Sequence, residues 1–217
     1  MSTGRKPKII ILCGDRGLGK TSAAIRITEL LRERGIEVGG VVSPSERRAD
    51  GLPMEIFARD LASGEARRLG SRTIDLGGPR LGPNRPQPGN PPMDDTASRD
   101  RPQGSTSESL PPFSFSRDTI HWAAGAFLSA IASKAKLVVL DEIGPLELEL
   151  DSGFRPLLEA IAEALEQGQC SFLVTVRSSL AGKLAARFPA GTTSIVELTA
   201  DNRAGLAEKT AERLASL

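Results

Sequence analysis

The chain has 217 residues, with 28 lysines and arginines against 27 aspartates and glutamates and a formal net charge of +1. This balance argues against a protein that coats duplex nucleic acid, which needs a strong basic excess. No apolar run approaches the ~18–20 residues that cross a bilayer, and the first apolar run is too short for a secretion signal. The two cysteines, Cys13 and Cys170, lie in apolar runs and predict reduced, buried thiols in a cytoplasmic protein.

Strand and helix patterns alternate over the first part of the chain. Residues 8–13 form a continuous β-branched and aliphatic run, which is typical of a central parallel strand covered on both faces. From Lys20 the apolar residues recur at three- and four-residue spacing, which predicts a helix that Gly35 ends. Further strands are predicted over residues 37–42, 54–61 and 65–69, the last two as an antiparallel hairpin.

Residues 71–112 have a different composition. They hold 9 of the 15 prolines and no valine, phenylalanine or tryptophan. Such a segment cannot bury enough apolar area to offset the entropy of ordering it. We therefore predict a disordered or extended low-complexity insertion, which serves either as a tolerated spacer or as a partner-binding segment.

The alternating pattern resumes after this insertion. Strands are predicted over residues 113–116, 137–140, 170–176 and 194–198, and helices over 118–132, 154–167, 180–188 and 202–217. Strands that alternate with helices predict a mostly parallel sheet with right-handed crossovers and helices on both faces. The expected fold class is α/β, a three-layer α/β/α sandwich, as a single domain over residues 1–217 that the insertion interrupts.

A phosphate-binding motif follows the first predicted strand. Residues 14–21 match the pattern G-x-x-x-x-G-K-[ST] in full. Glycines let backbone N–H groups curl around a phosphate, and the next helix directs its positive end toward it. Lys20 is predicted to contact the β- and γ-phosphates, and Thr21 to bind Mg²⁺ through its hydroxyl. A glycine-rich turn with a solvated lysine is the alternative. The predicted nucleotide-binding residues are Gly14, Asp15, Arg16, Gly17, Leu18, Gly19, Lys20, Thr21 and Ser22.

An acidic pair, Asp141 and Glu142, ends the apolar run of residues 137–140. Open α/β sheets bind ligands at the carboxyl ends of their strands. Asp141 is therefore predicted to hold Mg²⁺, through a coordinated water because Mg²⁺ keeps several waters in such sites. Glu142 points elsewhere and is predicted to orient or deprotonate an attacking water. The pair favours hydrolysis, with Glu142 and Lys20 as the catalytic residues, over a carboxylate pair that only caps the strand.

Together these motifs resemble those of the small thermostable nucleoside-triphosphatase family of P-loop proteins. Its second signature reads D-E-I-G-P-M-E-L, and residues 141–148 match seven of the eight positions, with Leu146 in place of methionine. The match extends to Gly40 and to residues 43–48, where Glu46 and Arg48 fit a Glu-x-Arg segment. The resemblance implies a P-loop fold with an additional strand between the P-loop and Asp-Glu strands, and Mg²⁺-dependent hydrolysis of ATP, GTP and other nucleoside triphosphates.

Two departures from the family pattern lie in its small antiparallel arm. Residues 52–55 read Leu-Pro-Met-Glu where the family has an arginine followed by Gly-Phe, and the insertion over 71–112 is the second departure. Neither lies in the phosphate site. Glu147 matches the second signature, and its simplest interpretation is a cap at the start of a helix.

Four further side chains are weaker candidates. Arg16 either reaches a phosphate or the charge of the transition state, as a cis arginine can, or is a solvated loop residue. Arg177 follows the strand that ends at residue 176, so it is expected at the sheet edge that carries Asp141 and could contact a phosphate. Glu46 and Arg48 form either an ion pair that shapes the site or ordinary surface charge.

Three functions compete on the sequence alone. The leading one is an Mg²⁺-dependent nucleoside-triphosphatase with ATP and GTP as substrates, CTP and UTP as further candidates, and no membrane or nucleic-acid partner. A nucleotide or small-metabolite kinase needs an arginine-bearing lid, and the proline load of residues 71–112 argues against one. A nucleotide-gated switch or maturation factor is the third, although the chain has no Asn-Lys-x-Asp guanine motif.

Overall fold

The computed structural model describes residues 8–47, 53–72, 107–110 and 113–216. The strands are β1 Ile9–Cys13, β2 Val38–Val42, β3 Ser45–Arg47, β4 Pro53–Asp60, β5 Ala66–Arg72, β6 Ser107–Leu110, β7 Phe113–Ser116, β8 Leu137–Ile143, β9 Ser171–Val176 and β10 Thr193–Glu197. The helices are α1 Lys20–Glu33, α2 Arg117–Ala132, α3 Pro145–Leu148, α4 Arg155–Glu166, α5 Ala181–Ala185 and α6 Leu206–Ala215, and a 3₁₀ turn spans Ser178–Leu180.

These strands form one mixed sheet of ten strands in the order β10-β1-β9-β8-β2-β4-β5-β7-β6, with β3 paired to β4. We call β10, β1, β9, β8 and β2 the parallel half, because all their mutual pairings are parallel. Strand β9 lies between β1 and β8, so the additional strand that the family resemblance implies is confirmed.

The other strands form the antiparallel half, which comprises β3, β4, β5, β6 and β7. It continues the same sheet from β2 and is larger than the small arm that we expected. The predicted hairpin of β4 and β5 is confirmed. Of the predicted insertion, the first two residues end β5 and 107–110 pair with β7 as β6, while 73–106 and 111–112 lie outside the described residues.

Helices cover both faces of the sheet, which confirms the three-layer α/β/α prediction. Along β1 the side chains alternate between two cores: Ile9 and Ile11 pack with α2 and α4, and Ile10 and Leu12 pack with α1 and α6. This alternation explains why β1 is a continuous apolar run. None of the helices in the described part of the chain is long and apolar enough to span a membrane.

Close packing of α2 on the sheet depends on a glycine in β2. A Cβ placed on Gly39 would lie 2.6 Å from the Ala130 Cβ in α2, which is closer than real Cβ atoms approach. The lack of a side chain on Gly39 thus lets α2 pack closely against β2. Because β8 is hydrogen-bonded to β2, this packing also helps to position β8.

Three predicted elements differ in extent from the structure. The helix expected over 202–217 begins at Leu206, because the Asn202 side chain instead holds a turn by accepting from the Thr199 N–H and donating to the Glu197 carbonyl. The helix expected over 180–188 is a 3₁₀ turn followed by the short α5. Strand β8 extends beyond residue 140 to Ile143.

Candidate functional site

The loop between β1 and α1, residues 14–21, lies at the carboxyl end of the parallel half, and we call it the phosphate loop. Gly17 has φ +85° and Gly19 has φ +96°, a left-handed region that favours glycine. A Cβ on Gly14 would lie 2.8 Å from the Leu198 carbonyl oxygen, so this position is also closed to a side chain. The glycines of the motif are therefore required by the backbone itself.

The Lys20 side chain folds back over this loop. Its Nζ donates to the Gly14 carbonyl oxygen at 2.8 Å and to the Asp15 carbonyl oxygen at 3.0 Å. Burial lowers the pKa of the Lys20 ammonium, and the negative charges of Glu142 and Asp141 oppose that effect. The ammonium group is thus tethered by neutral acceptors and lies within electrostatic reach of both carboxylates.

Asp141 is 1% exposed and has a dense set of donors. The Ser43 backbone N–H donates to its Oδ2 at 2.9 Å, and the Thr175 hydroxyl donates to its Oδ1. Burial raises the pKa of Asp141, and the Thr175 hydroxyl, the Ser43 N–H and the nearby Thr21 hydroxyl of the phosphate loop work against that rise. The structure therefore brings Thr21 close to Asp141.

Glu142 follows in a β-bulge, where the register between β8 and β9 shifts. Its φ is +65°, an uncommon conformation for a residue with a Cβ. The Glu142 backbone N–H donates to the Thr175 hydroxyl oxygen at 2.8 Å. One hydroxyl thus accepts from the backbone of Glu142 and donates to the side chain of Asp141, which fixes the two carboxylates in different directions.

The Glu142 side chain is exposed to the cleft beside this loop, although protein atoms crowd around it. This desolvation and the negative charge of Asp141 raise the pKa of Glu142 to about 7, while the positive charges of Lys20, Arg177 and Arg16 lower it. A carboxyl group with a pKa near neutrality can both accept and release a proton at physiological pH.

Two of the weaker candidates lie in the same cleft. Arg16 and Arg177 both line it together with Gly17, Lys20 and the acidic pair. Glu46 is exposed on β3, opposite Glu55 of β4, and is not among the described residues that line the cleft. Arg48 lies outside the described residues, so the choice between an ion pair with Glu46 and ordinary surface charge stays untested.

Glu147 has the capping role that its position suggested. Its Oε2 accepts from the Gly144 N–H at 2.9 Å and its Oε1 accepts from the Phe154 N–H at 3.2 Å. The side chain is 4% exposed. It therefore fastens both ends of the 144–154 segment, which forms one wall of the cleft.

Three polar residues of the site were missed from the sequence. Thr175 lies inside the apolar strand β9. Threonine is common in strands, so its role is evident only from its hydrogen bond to Asp141 on the adjacent strand β8. Ser43, just after β2, is 2% exposed and its hydroxyl has no hydrogen-bond partner among the described residues. The Arg203 guanidinium group lies 3.5 Å from where a Gly19 Cβ would be, beside the phosphate loop. For Thr175 and Ser43, the signal available in the sequence was a polar residue at or near the end of a predicted parallel strand.

Known proteins share both the sequence and the fold. A family model described as NTPase matches residues 9–87 and 117–211. Nucleoside-triphosphatase THEP1 of Thermofilum pendens is 31% identical over 219 residues, 97% of each protein. Nucleoside-triphosphatase THEP1 of Methanosarcina acetivorans is 29% identical over 205 residues, 94% of this chain and 95% of that protein. The solution structure of a human cancer-related nucleoside triphosphatase has the same fold, with a TM-score of 0.64 and 18% identity over 96% of this chain and 98% of that one.

The three-layer fold and these matches define a nucleotide-binding α/β hydrolase. Within that class, the chain belongs to the NTPase family whose model it matches, together with the THEP1 nucleoside-triphosphatases. The family resemblance predicted from the phosphate loop and residues 141–148 is confirmed.

Proposed function

We propose that the chain, a nucleoside-triphosphatase by family, hydrolyses nucleoside triphosphates with Mg²⁺ at the site formed by the phosphate loop and the acidic pair. The observation that carries this proposal is the buried Asp141 carboxylate, which lies close to the Thr21 hydroxyl and within electrostatic reach of the Lys20 ammonium, with Glu142 beside it. Gly17 and Lys20 of the loop and both carboxylates line one cleft, as phosphoryl transfer to water needs.

The phosphate loop is the proposed binding site for the β- and γ-phosphates. Its backbone N–H groups and the start of α1 attract anions. Lys20 exchanges its two carbonyl acceptors for phosphate oxygens, which the charge on the phosphates favours over neutral acceptors. Arg16 and Arg177 line the cleft and add positive charge where negative charge develops in the transition state.

The donor set of the site fits Mg²⁺. A hydroxyl and a carboxylate are the hard oxygen ligands that this ion prefers, and Thr21 and Asp141 supply them side by side. The buried Ser43 hydroxyl has no hydrogen-bond partner among the described residues, and the Ser43 backbone N–H donates to the same carboxylate, so this hydroxyl is suited to hydrogen-bond a metal-bound water. When bound, Mg²⁺ neutralises charge on the transferring phosphate. Thr21 and Asp141 are the residues that would hold it.

Glu142 is the proposed general base. It takes a proton from a water whose oxygen attacks the γ-phosphorus, and the bond from that phosphorus to the β–γ bridging oxygen breaks. The products are nucleoside diphosphate and phosphate. A base with a pKa near 7 is half ionised at neutral pH, so it is suited to accept this proton without remaining protonated permanently.

The proposal also covers the domain organisation and the cell compartment. A single sheet runs through all the described strands, which supports one domain for the chain. Both cysteines are buried and unpaired, and burial raises the pKa of each thiol, so they are unreactive, as suits a reducing cytoplasm.

The test is phosphate release from ATP, GTP, CTP and UTP, each with Mg²⁺ and with a chelator. We expect release from several of the four with Mg²⁺, and loss of release with the chelator or in the Lys20→Ala variant. The Lys183→Ala variant is the matched control, since Lys183 is half-exposed on α5 and pairs only loosely with Glu149 at 3.9 Å. Release that persists in Lys20→Ala would overturn the proposed site.

A further inference from the structure

The cleft that holds the acidic pair also has apolar walls. It encloses about 190 Å³. Its lining includes the charged residues Lys20, Glu142 and Arg177. It also includes an apolar part, which we call the chamber and which consists of Ile56, Leu69, Phe115, Ile120, Ile143 and Phe154. The chamber is thus closed by strands of the antiparallel half, by α2 and by the 144–154 segment.

The chamber walls are part of the protein core. Ile56 is 8% exposed, Leu69 5% and Phe154 5%, and all three belong to the same buried cluster as α2 and α4. The Phe115 ring lies against Gly70, where an added Cβ would be 2.7 Å from its Cδ1. The apolar surface is therefore held in place by packing on several elements and is preformed.

Water is a poor occupant of this chamber. An ordered buried water needs two to four polar partners, and the six side chains above offer none. An engineered cavity of about 150 Å³ with similar walls stays dry and binds benzene. The whole cleft, at about 190 Å³, is of comparable size, so it accommodates about one ring or one branched aliphatic group.

We propose that the chamber is an acceptor site, in which a small alcohol with a single-ring or branched aliphatic body is held with its hydroxyl at Glu142 and receives the γ-phosphoryl group in competition with water. This inference rests on the proposed function, since the donor and the base are the same. The lining combines charged residues of the phosphate site with the apolar residues of the chamber, which matches a molecule with one polar and one apolar part.

The chemistry balances without another reactant. The alcohol oxygen attacks the γ-phosphorus, its proton passes to Glu142, and the bond to the β–γ bridging oxygen breaks. The products are a phosphate monoester and a nucleoside diphosphate. Hydrolysis is the same reaction with water as acceptor, so the ratio of ester to free phosphate measures how well the acceptor occupies the chamber.

The test uses the full chain with ATP and Mg²⁺, with benzyl alcohol or methanol at equal concentration, and ³¹P NMR to count benzyl phosphate, methyl phosphate and free phosphate. We expect at least about tenfold more benzyl than methyl ester, because one buried apolar group discriminates by ~10–200-fold. Toluene, which fills the chamber but has no hydroxyl, lowers the benzyl ester yield.

Paired variants locate the effect. Leu69→Trp fills the chamber and abolishes the benzyl ester. Leu128→Trp adds the same ring on the outer face of α2, where Leu128 is 46% exposed, and changes neither product. Toluene competition gives the answer without a variant if Leu69→Trp does not fold.

The outcomes separate the two proposals. Free phosphate without benzyl ester, or ester without preference over methanol or without toluene inhibition, overturns the acceptor site and leaves the hydrolytic function standing. Absence of both ester and free phosphate overturns both proposals.

Discussion

The two halves of the sheet contribute opposite kinds of surface to one cleft. In the parallel half, polar groups are concentrated where strands end: the phosphate loop follows β1, Ser43 follows β2, and Asp141 lies near the end of β8. The antiparallel half contributes mainly apolar side chains, Ile56, Leu69 and Phe115, beside the polar Ser45. Phosphate chemistry therefore depends on strand ends, and the shape of the adjoining space depends on strand faces.

This difference implies that the phosphate chemistry and the shape of the chamber can change independently of each other. Parallel strands bring their carboxyl ends to one edge whatever their outer neighbours are, so the phosphate site does not need a particular antiparallel half. A substitution on β4, β5 or β7 reshapes the chamber and leaves the loop and the acidic pair in place. The following predictions test that separation.

The largest effect is expected at Glu142. Glu142→Gln keeps the size of the side chain and removes its ability to accept a proton, so phosphate release falls by ~10²–10⁴-fold while nucleotide binding persists. Single-turnover phosphate release and a nucleotide titration measure the two properties. Unchanged release in this variant would exclude Glu142 as the base.

A smaller loss is expected when the bridging hydroxyl is removed. Thr175→Val leaves Asp141 without one donor and the Glu142 N–H without its acceptor, so stability falls by ~1–3 kcal/mol and phosphate release by ~10–100-fold. Thr28→Val is the matched control. Thr28 is equally buried, but its hydroxyl donates only to the Ala24 carbonyl within α1. If urea unfolding and activity respond equally in both variants, the bridge has no special role.

The third effect, smaller than the loss in Thr175→Val, is the fall in phosphate release as the pH drops below neutrality. Since the pKa of Glu142 is raised to about 7, its base form is lost as pH falls through that value. The kcat/KM for phosphate release, which reports the free enzyme, should drop about tenfold per pH unit below 7 and level off above it. A profile that stays flat from pH 8 to pH 5 would contradict this.

The smallest effect on catalysis is expected in the antiparallel half. Gly70→Ala places a methyl group 2.7 Å from the Phe115 ring and 2.9 Å from the Ser114 carbonyl oxygen, so it costs ~1–3 kcal/mol of stability with Mg²⁺-dependent phosphate release nearly intact. Gly125→Ala in α2 meets nothing within 4 Å and should stabilise by ~0.5–1 kcal/mol. A loss of phosphate release in Gly70→Ala that matches Glu142→Gln would show that the halves are not separable.

The sequence predicted the parallel half better than the antiparallel half. Buried parallel strands have a local signal, an apolar run such as 9–13 or 137–140, and their polar ends follow in the chain. The phosphate loop and the acidic pair were therefore found from sequence alone. Strand β6 has no such signal, since residues 107–110 become a strand by pairing with β7 across the sheet.

The site residues that were missed depend on contacts distant in sequence. Thr175 is 34 residues from Asp141, and Ser43 is 98 residues from it. A threonine in a strand and a serine after one are common for local reasons. The chamber was missed for the same reason, because its walls come from elements that share no sequence motif.

The left-handed backbone of Glu142 has a consequence for selection experiments. A residue with a side chain in that conformation costs ~1–2 kcal/mol relative to glycine. The Glu142 carboxylate also lies next to the buried carboxylate of Asp141, and the two negative charges repel each other. Glu142→Gly would remove the backbone cost and the repulsion, so the inactive variant should melt at a higher temperature than the active protein. Libraries screened for heat resistance alone would discard this glutamate, whereas a screen that also demands turnover would retain it.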